Sequence, residues 1–183
     1  MKELFIKYKS VIRFIVTFLL VYIVLTFAYK MYLQYSSDSE YYPDYMTHLV
    51  GVQSAELLTV LDYDVKLLPH PDEPSLKLII NNKYLARVIE GCNSISVIIL
   101  FISFIIAFAG KFKTTAIYIL AGSVLIYITN LVRIAAITAG LYHYPKHEYI
   151  LHDIIFPAII YGMVCLLWVV WVNHFSLKKE GDA

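Results

Sequence analysis

Charge is scarce in this chain. Only 16% of its 183 residues are Asp, Glu, Lys or Arg, and the formal net charge is +1. There is no basic stripe, so no global field points to nucleic acid as a partner. No glycine-rich phosphate loop occurs, which removes the common nucleotide cradle. Internal repeats and low-complexity tracts are also missing, which argues against a solenoid or a disordered linker. Cysteine is limited to Cys92 and Cys165. Apolar residues dominate instead: the chain is 60% hydrophobic with mean hydropathy +0.67, too apolar for a soluble domain of ordinary composition. Its length suits a single membrane-embedded domain, 1–183, with one small inserted element.

Four apolar stretches approach or reach spanning length, at 11–31, 94–109, 114–131 and 154–172. A helix rises about 1.5 Å per residue, so about 20 residues cross a hydrocarbon core of roughly 30 Å. Backbone polar groups in lipid must be satisfied internally, which favours helices over open strands. The expected fold is therefore an all-α integral membrane protein with four transmembrane helices and a small extracytoplasmic α+β insert between the first two. Stretch 11–31 reads as an uncleaved anchor rather than a signal peptide, being longer than a usual apolar signal core and lacking an obvious cleavage site.

Lys and Arg in short flanking loops set orientation. Lys2, Lys7, Lys9 and Arg13 precede the first stretch, Lys111 and Lys113 lie between the second and third, and Lys178 and Lys179 come after the fourth. These segments share one side, which places the N- and C-termini in the cytoplasm. The insert, 36–91, is rich in acidic residues and faces outward with the 140–153 loop. Tyrosines crowd these borders, as in an interfacial aromatic belt. Within the insert, 45–61 reads as an amphipathic helix presenting Leu49, Val52, Leu57 and Val60, lying on the surface or against the bundle. Pro69, Pro71 and Pro74 break the chain. Residues 77–89 read as a hairpin around Asn81-Asn82, which delivers Cys92 to the membrane surface.

Three chemically capable residues then fall at one level. Cys92 precedes the second stretch and His152 precedes the fourth, both on the outer side. Arg133 lies about 19 residues into the third, or roughly 28 Å along it, near the same boundary. Asn130 is three residues earlier on the same helix face. A thiolate is a strong nucleophile, favoured by a nearby His or Arg. Histidine can take the thiol proton and return it to a leaving amine. Arginine can donate to a developing oxyanion. The roles expected are Cys92 nucleophile, His152 general acid/base and Arg133 transition-state donor, with Asn130, Glu90, Asn93 and Ser94 in substrate-binding or supporting positions. Each also has a plainer reading: a small packing cysteine, an arginine reaching for headgroups, a histidine in an interfacial loop. Cys165 lies about 18 Å deeper along the fourth stretch, too far for a disulfide to Cys92. It is expected to pack.

The outer loop also holds His143, His147, Glu148, His152 and Asp153. Pro145 between the first two disfavours a regular helix, and no H-E-x-x-H pattern occurs. Metal is therefore not expected at the site, and no cofactor is implied.

Cys92 before a span, Asn130-x-x-Arg133 in the next, and His152 at the outer start of the last resemble the exosortase/archaeosortase family. Glu90-Gly91-Cys92-Asn93-Ser94 and the short four-span layout look most like the small exosortase F type of Bacteroidetes. The resemblance covers about 87–172. Many relatives carry a small residue and glycine after the cysteine, where this chain has Asn93-Ser94. It implies a cysteine transpeptidase of the bacterial inner membrane, its site facing the periplasm, acting through an acyl-enzyme. The implied partners are secreted proteins ending in a short motif, a transmembrane helix and a basic tail, together with the bilayer and a lipid or glycan acceptor. A non-enzymatic membrane scaffold or assembly subunit is the alternative.

Overall fold

The first helix, α1 (Lys9–Ser36), carries only Lys9, Arg13 and Lys30 as charges in 28 residues. At about 1.5 Å per residue it runs about 42 Å, more than a bilayer core. The computed structural model describes residues 8–36, 41–108, 110–147 and 149–175, while the side chains at 147, 151–153 and 156 lie outside the described residues. After α1 come α2 (Tyr45–Val60), strands β1 (Val65–Pro69), β2 (Ser75–Ile80) and β3 (Lys83–Ile89), and a 3-10 turn, Glu90–Cys92. Helices α3 (Ile95–Ala107), α4 (Phe112–His143) and α5 (Phe156–His174) complete the chain, with a π-helical turn, Ile150–Ile155, leading into α5.

Three helices among the described residues are long and apolar enough to cross a membrane: Lys9–Ser36, Phe112–His143 and Pro157–His174. The second apolar stretch is helical but short. Its 13 residues, Ile95–Ala107, reach only about 20 Å. The molecule is thus a mostly helical membrane protein with a small sheet. Helix α4 continues to His143, about 15 Å past Arg133 and well beyond the apolar run at 114–131.

Aromatic contacts hold the bundle. Phe14 of α1 lies 5.7 Å from Phe104 and 4.6 Å from Phe108, ring to ring. Phe101 of α3 packs on Gly122 of α4, where a Cβ would stand 2.3 Å from its ring. Only a glycine lets the helices approach this closely, as is common where lipid gives no hydrophobic drive to association. Tyr118 of α4 donates to the Leu167 carbonyl at 2.7 Å, and its ring lies tilted 4.9 Å from that of Trp171 of α5. The core here is Phe101, Ile105, Ile126, Val164, Leu167 and Trp171. Because Phe14 meets the end of α3 and Tyr118 meets Phe175, Lys9, Arg13, Lys111 and Lys113 gather at one pole. Lys2, Lys7, Lys178 and Lys179 lie outside the described residues.

The sheet caps the opposite pole. Its order is β1-β2-β3, antiparallel throughout, with a bulge between Leu78 and Ile79. The expected Asn81-Asn82 turn is formed, both residues at positive φ (49° and 62°), the conformation a tight hairpin needs. Strand β1 is an addition to the expected hairpin; it is an edge strand closed by Pro69, which has no N–H to offer. Leu76, Leu78, Ile80 and Val88 face Val50 and Leu58 of α2 and Ile134 and Ala135 of α4, forming a second, aliphatic core. Helix α2 lies against the bundle, capped by Asp44, whose Oδ1 accepts from Thr47 N at 3.0 Å. Its buried face differs from the expected one. Thr47, Val50, Gly51, Ser54 and Leu58 face inward, and Val60 is 79% exposed. Small residues win because the sheet comes close: a Cβ at Gly51 would meet Leu76 Cδ1 at 2.8 Å. Helix α4 alone contributes to both cores.

Candidate active site

Strand β3 runs straight into the Glu90–Cys92 turn, and Asn93 locks the junction between that turn and α3. Asn93 is buried, so each of its amide groups needs a partner. Its Oδ1 accepts from Ile95 N at 3.0 Å, which caps the start of α3. Its Nδ2 donates to Tyr29 Oη of α1 at 2.7 Å and to Thr47 Oγ1 of α2 at 3.2 Å. One side chain therefore joins three helices beside the cysteine. Ser94, also buried, adopts a left-handed conformation (φ 64°) and its hydroxyl donates to the Asn93 carbonyl at 2.6 Å. Asn93-Ser94 thus fills the place of the small residue and glycine with a hydrogen-bonded, positive-φ turn.

From α4, Asn130 donates through Nδ2 to the Cys92 carbonyl at 2.7 Å. The bond fixes the cysteine backbone against the helix that carries Arg133, one turn further along the same face. Cys92 and Arg133 both line a cavity of about 400 Å³, walled by 84–87 of β3 and by Ile134, Ile137, Thr138 and Leu141 of α4. Cys92 is half-buried and free. The Nε of Arg133 is buried and has no hydrogen-bond partner among the described residues. A guanidinium is costly at such a depth unless it meets an acceptor. Thiol, half-buried arginine and cavity together suit recognition of an acyl carbonyl that becomes an oxyanion.

The backbone of His152 lies in the Ile150–Ile155 turn, which packs beside α4 and leads into α5. A π-helical turn often marks a functional site. The His152 side chain lies outside the described residues, as do those of His147 and Asp153 and the whole of Glu148. His143 is engaged elsewhere, its Nε2 2.9 Å from Tyr63 Oη. Among the described residues no group of three or more His, Cys, Asp or Glu gathers to hold a metal. Cys165 is free and on the bundle surface, beside Phe104 and Trp168, rather than packed inside. Glu90 is exposed at the head of the turn.

A family model described as Transmembrane exosortase matches residues 4–172. The chain belongs to the transmembrane exosortase family. Comparison with curated proteins and with solved structures gives no match. Membership implies a membrane transpeptidase in general terms.

Sequence pattern alone does not single out Arg87. The chain has three arginines, Arg13, Arg87 and Arg133, and two of them line the Cys92 cavity. Arg87 pairs with Glu73 of the loop between β1 and β2. The available signal is an arginine inside a strand five residues before the cysteine; its meaning depends on how β3 folds over α4.

Proposed function

We propose that this chain is a membrane-embedded cysteine transpeptidase of the small exosortase F type, crossing the bacterial inner membrane four times with α3 as the short second span. It cleaves C-terminal sorting signals of secreted proteins at the periplasmic face. The basic pole lies in the cytoplasm, as Lys and Arg in short loops favour, and the sheet covers the outer mouth. The observation that carries the reading is the cavity shared by the free thiol of Cys92 and the guanidinium of Arg133, whose Nε has no partner among the described residues.

In this mechanism His152 takes the Cys92 proton, and the thiolate attacks the scissile carbonyl carbon. A C–S bond forms while Arg133 donates to the oxyanion. The C–N bond then breaks, the imidazolium returns its proton to the departing amine, and a thioester remains. An acceptor hydroxyl or amine, on a lipid or glycan, gives its proton to His152 and attacks the thioester; the acyl–acceptor bond forms, the C–S bond breaks, and the imidazolium returns the proton to the departing thiolate to restore the thiol. Asn130, Asn93 and Ser94 hold the cysteine turn in position. A substrate whose apolar helix spans the membrane would present its scissile bond where α4 meets the sheet.

Processing of a tail-bearing secreted protein in cells tests this. Cys92→Ala should abolish the shift to the mature size while the enzyme still accumulates. Normal maturation with Cys92→Ala would favour a scaffold instead.

A further inference from the structure

A second cavity, of about 650 Å³, lies on the other side of the Glu90–Cys92 turn. Gly91 lines it where Cys92 lines the first, and Arg87 borders both. A peptide crossing the cysteine would therefore place neighbouring residues in the two cavities. The second is acidic: Asp44, Glu73 and Glu90 line it against the single guanidinium of Arg87. These carboxylates are not equivalent. Asp44 caps α2, and Glu73 is paired with Arg87, whereas the Glu90 side chain has no hydrogen-bond or ion-pair partner among the described residues.

A buried hydroxyl adds an independent mark. Ser75 lines the same cavity, is fully buried, and its Oγ has no hydrogen-bond partner among the described residues. Side chains alternate along a strand. Leu76 points into the aliphatic core, so Ser75 points to the opposite face, beside its cross-strand partner Ile89, which also lines the cavity. A buried polar group left open costs stability unless something fills the site. An excess of anionic acceptors beside an open hydroxyl fits a group that carries only donors and positive charge.

We infer that this cavity is a specificity pocket for a basic side chain, lysine or arginine, lying within a few residues of the scissile bond in the substrate. The inference rests on the transpeptidase reading for its meaning but not for its test. Glu90 supplies the open carboxylate, Ser75 an oxygen acceptor deeper in, and Glu73 a carboxylate partly neutralised by Arg87.

The test uses the full chain carrying Cys92→Ala, purified in detergent micelles, so that binding is read without cleavage. The probes are acetyl-Gly-Gly-Lys-Gly-Gly-amide and its norleucine and glutamate twins, monitored by saturation-transfer NMR. The lysine peptide should bind at least about fivefold tighter than the norleucine peptide, and the glutamate peptide weakest. Glu90→Gln should remove most of that preference, and Glu90→Lys should turn it toward glutamate. Arg87→Gln should enlarge it by freeing Glu73, a gain that a damaged fold would not produce. Equal binding of the lysine and norleucine peptides, or a preference untouched by Glu90→Gln, overturns the inference. So does competition by ethanolammonium alone with no lysine preference, which would make the cavity an acceptor site. Normal maturation with Cys92→Ala in cells would overturn the enzyme while leaving these binding results to stand.

Discussion

The two cores of this molecule solve different problems. At the basic pole, helices pack through rings: Phe101, Trp171 and Tyr118 fill the space, and Gly122 sets the distance. At the sheet pole, the core is aliphatic and is edged by buried polar residues, Asp44, Thr47, Asn93 and Asn130. The first core holds spans together. The second aims a backbone turn, and every functional candidate among the described side chains lies there. Helix α4 links them, so the thiol turn is referenced to a helix that the bundle already holds rigid.

If that division is right, variants at the two poles should fail in different ways. Arg133→Ala should cut processing by about 10²–10³-fold, the usual loss for a transition-state donor, with the chain still folded. Arg133→Lys should restore little, because a point charge does not reproduce the guanidinium fork. Initial rates on a tail-bearing substrate check both. Phe101→Ala should instead cost about 3 kcal/mol of stability, near the low end for such truncations because lipid, not water, competes for the packing surface. Thermal unfolding in detergent would show it, and the activity remaining per folded molecule should be little changed.

Asn130→Ala probes the link between the poles. It leaves the Cys92 carbonyl without its donor, at a cost of about 1–3 kcal/mol. Processing should fall more than stability does, which paired rate and melting measurements would reveal. The smallest effect belongs to the hairpin tip. Asn82→Gly keeps the positive φ without a Cβ and should change stability by less than about 1 kcal/mol, leaving processing intact. A large loss of activity there would mean that the sheet moves during turnover.

Much of this arrangement is legible from local pattern. The Asn81-Asn82 hairpin, the helix at 45–61 and the common level of Cys92 and Arg133 emerge from turn chemistry, periodicity and helix depth, whereas the Asn130 bond to the Cys92 carbonyl and the shared cavity do not. The features that escape local pattern depend on contacts between distant segments. Strand β1 exists because β2 offers it an edge, a pairing no window around Val65–Pro69 contains. The inward face of α2 is chosen by Leu76 pressing on Gly51, not by the richest apolar stripe. Arg87 acquires its place only when β3 lies across α4. Cys165, expected to pack, turns to the surface because Val164 and Leu167 already supply the inward face of α5.

The central claim is that Cys92 is the nucleophile beside Arg133. Its most direct test is intact mass spectrometry of the purified chain, acid-quenched during turnover of a tail-bearing peptide. A peptide thioester mapping to Cys92, and missing in Cys92→Ala, is the predicted result. Continued cleavage by Cys92→Ala, with no adduct on Cys92 in the unaltered chain, would contradict the account.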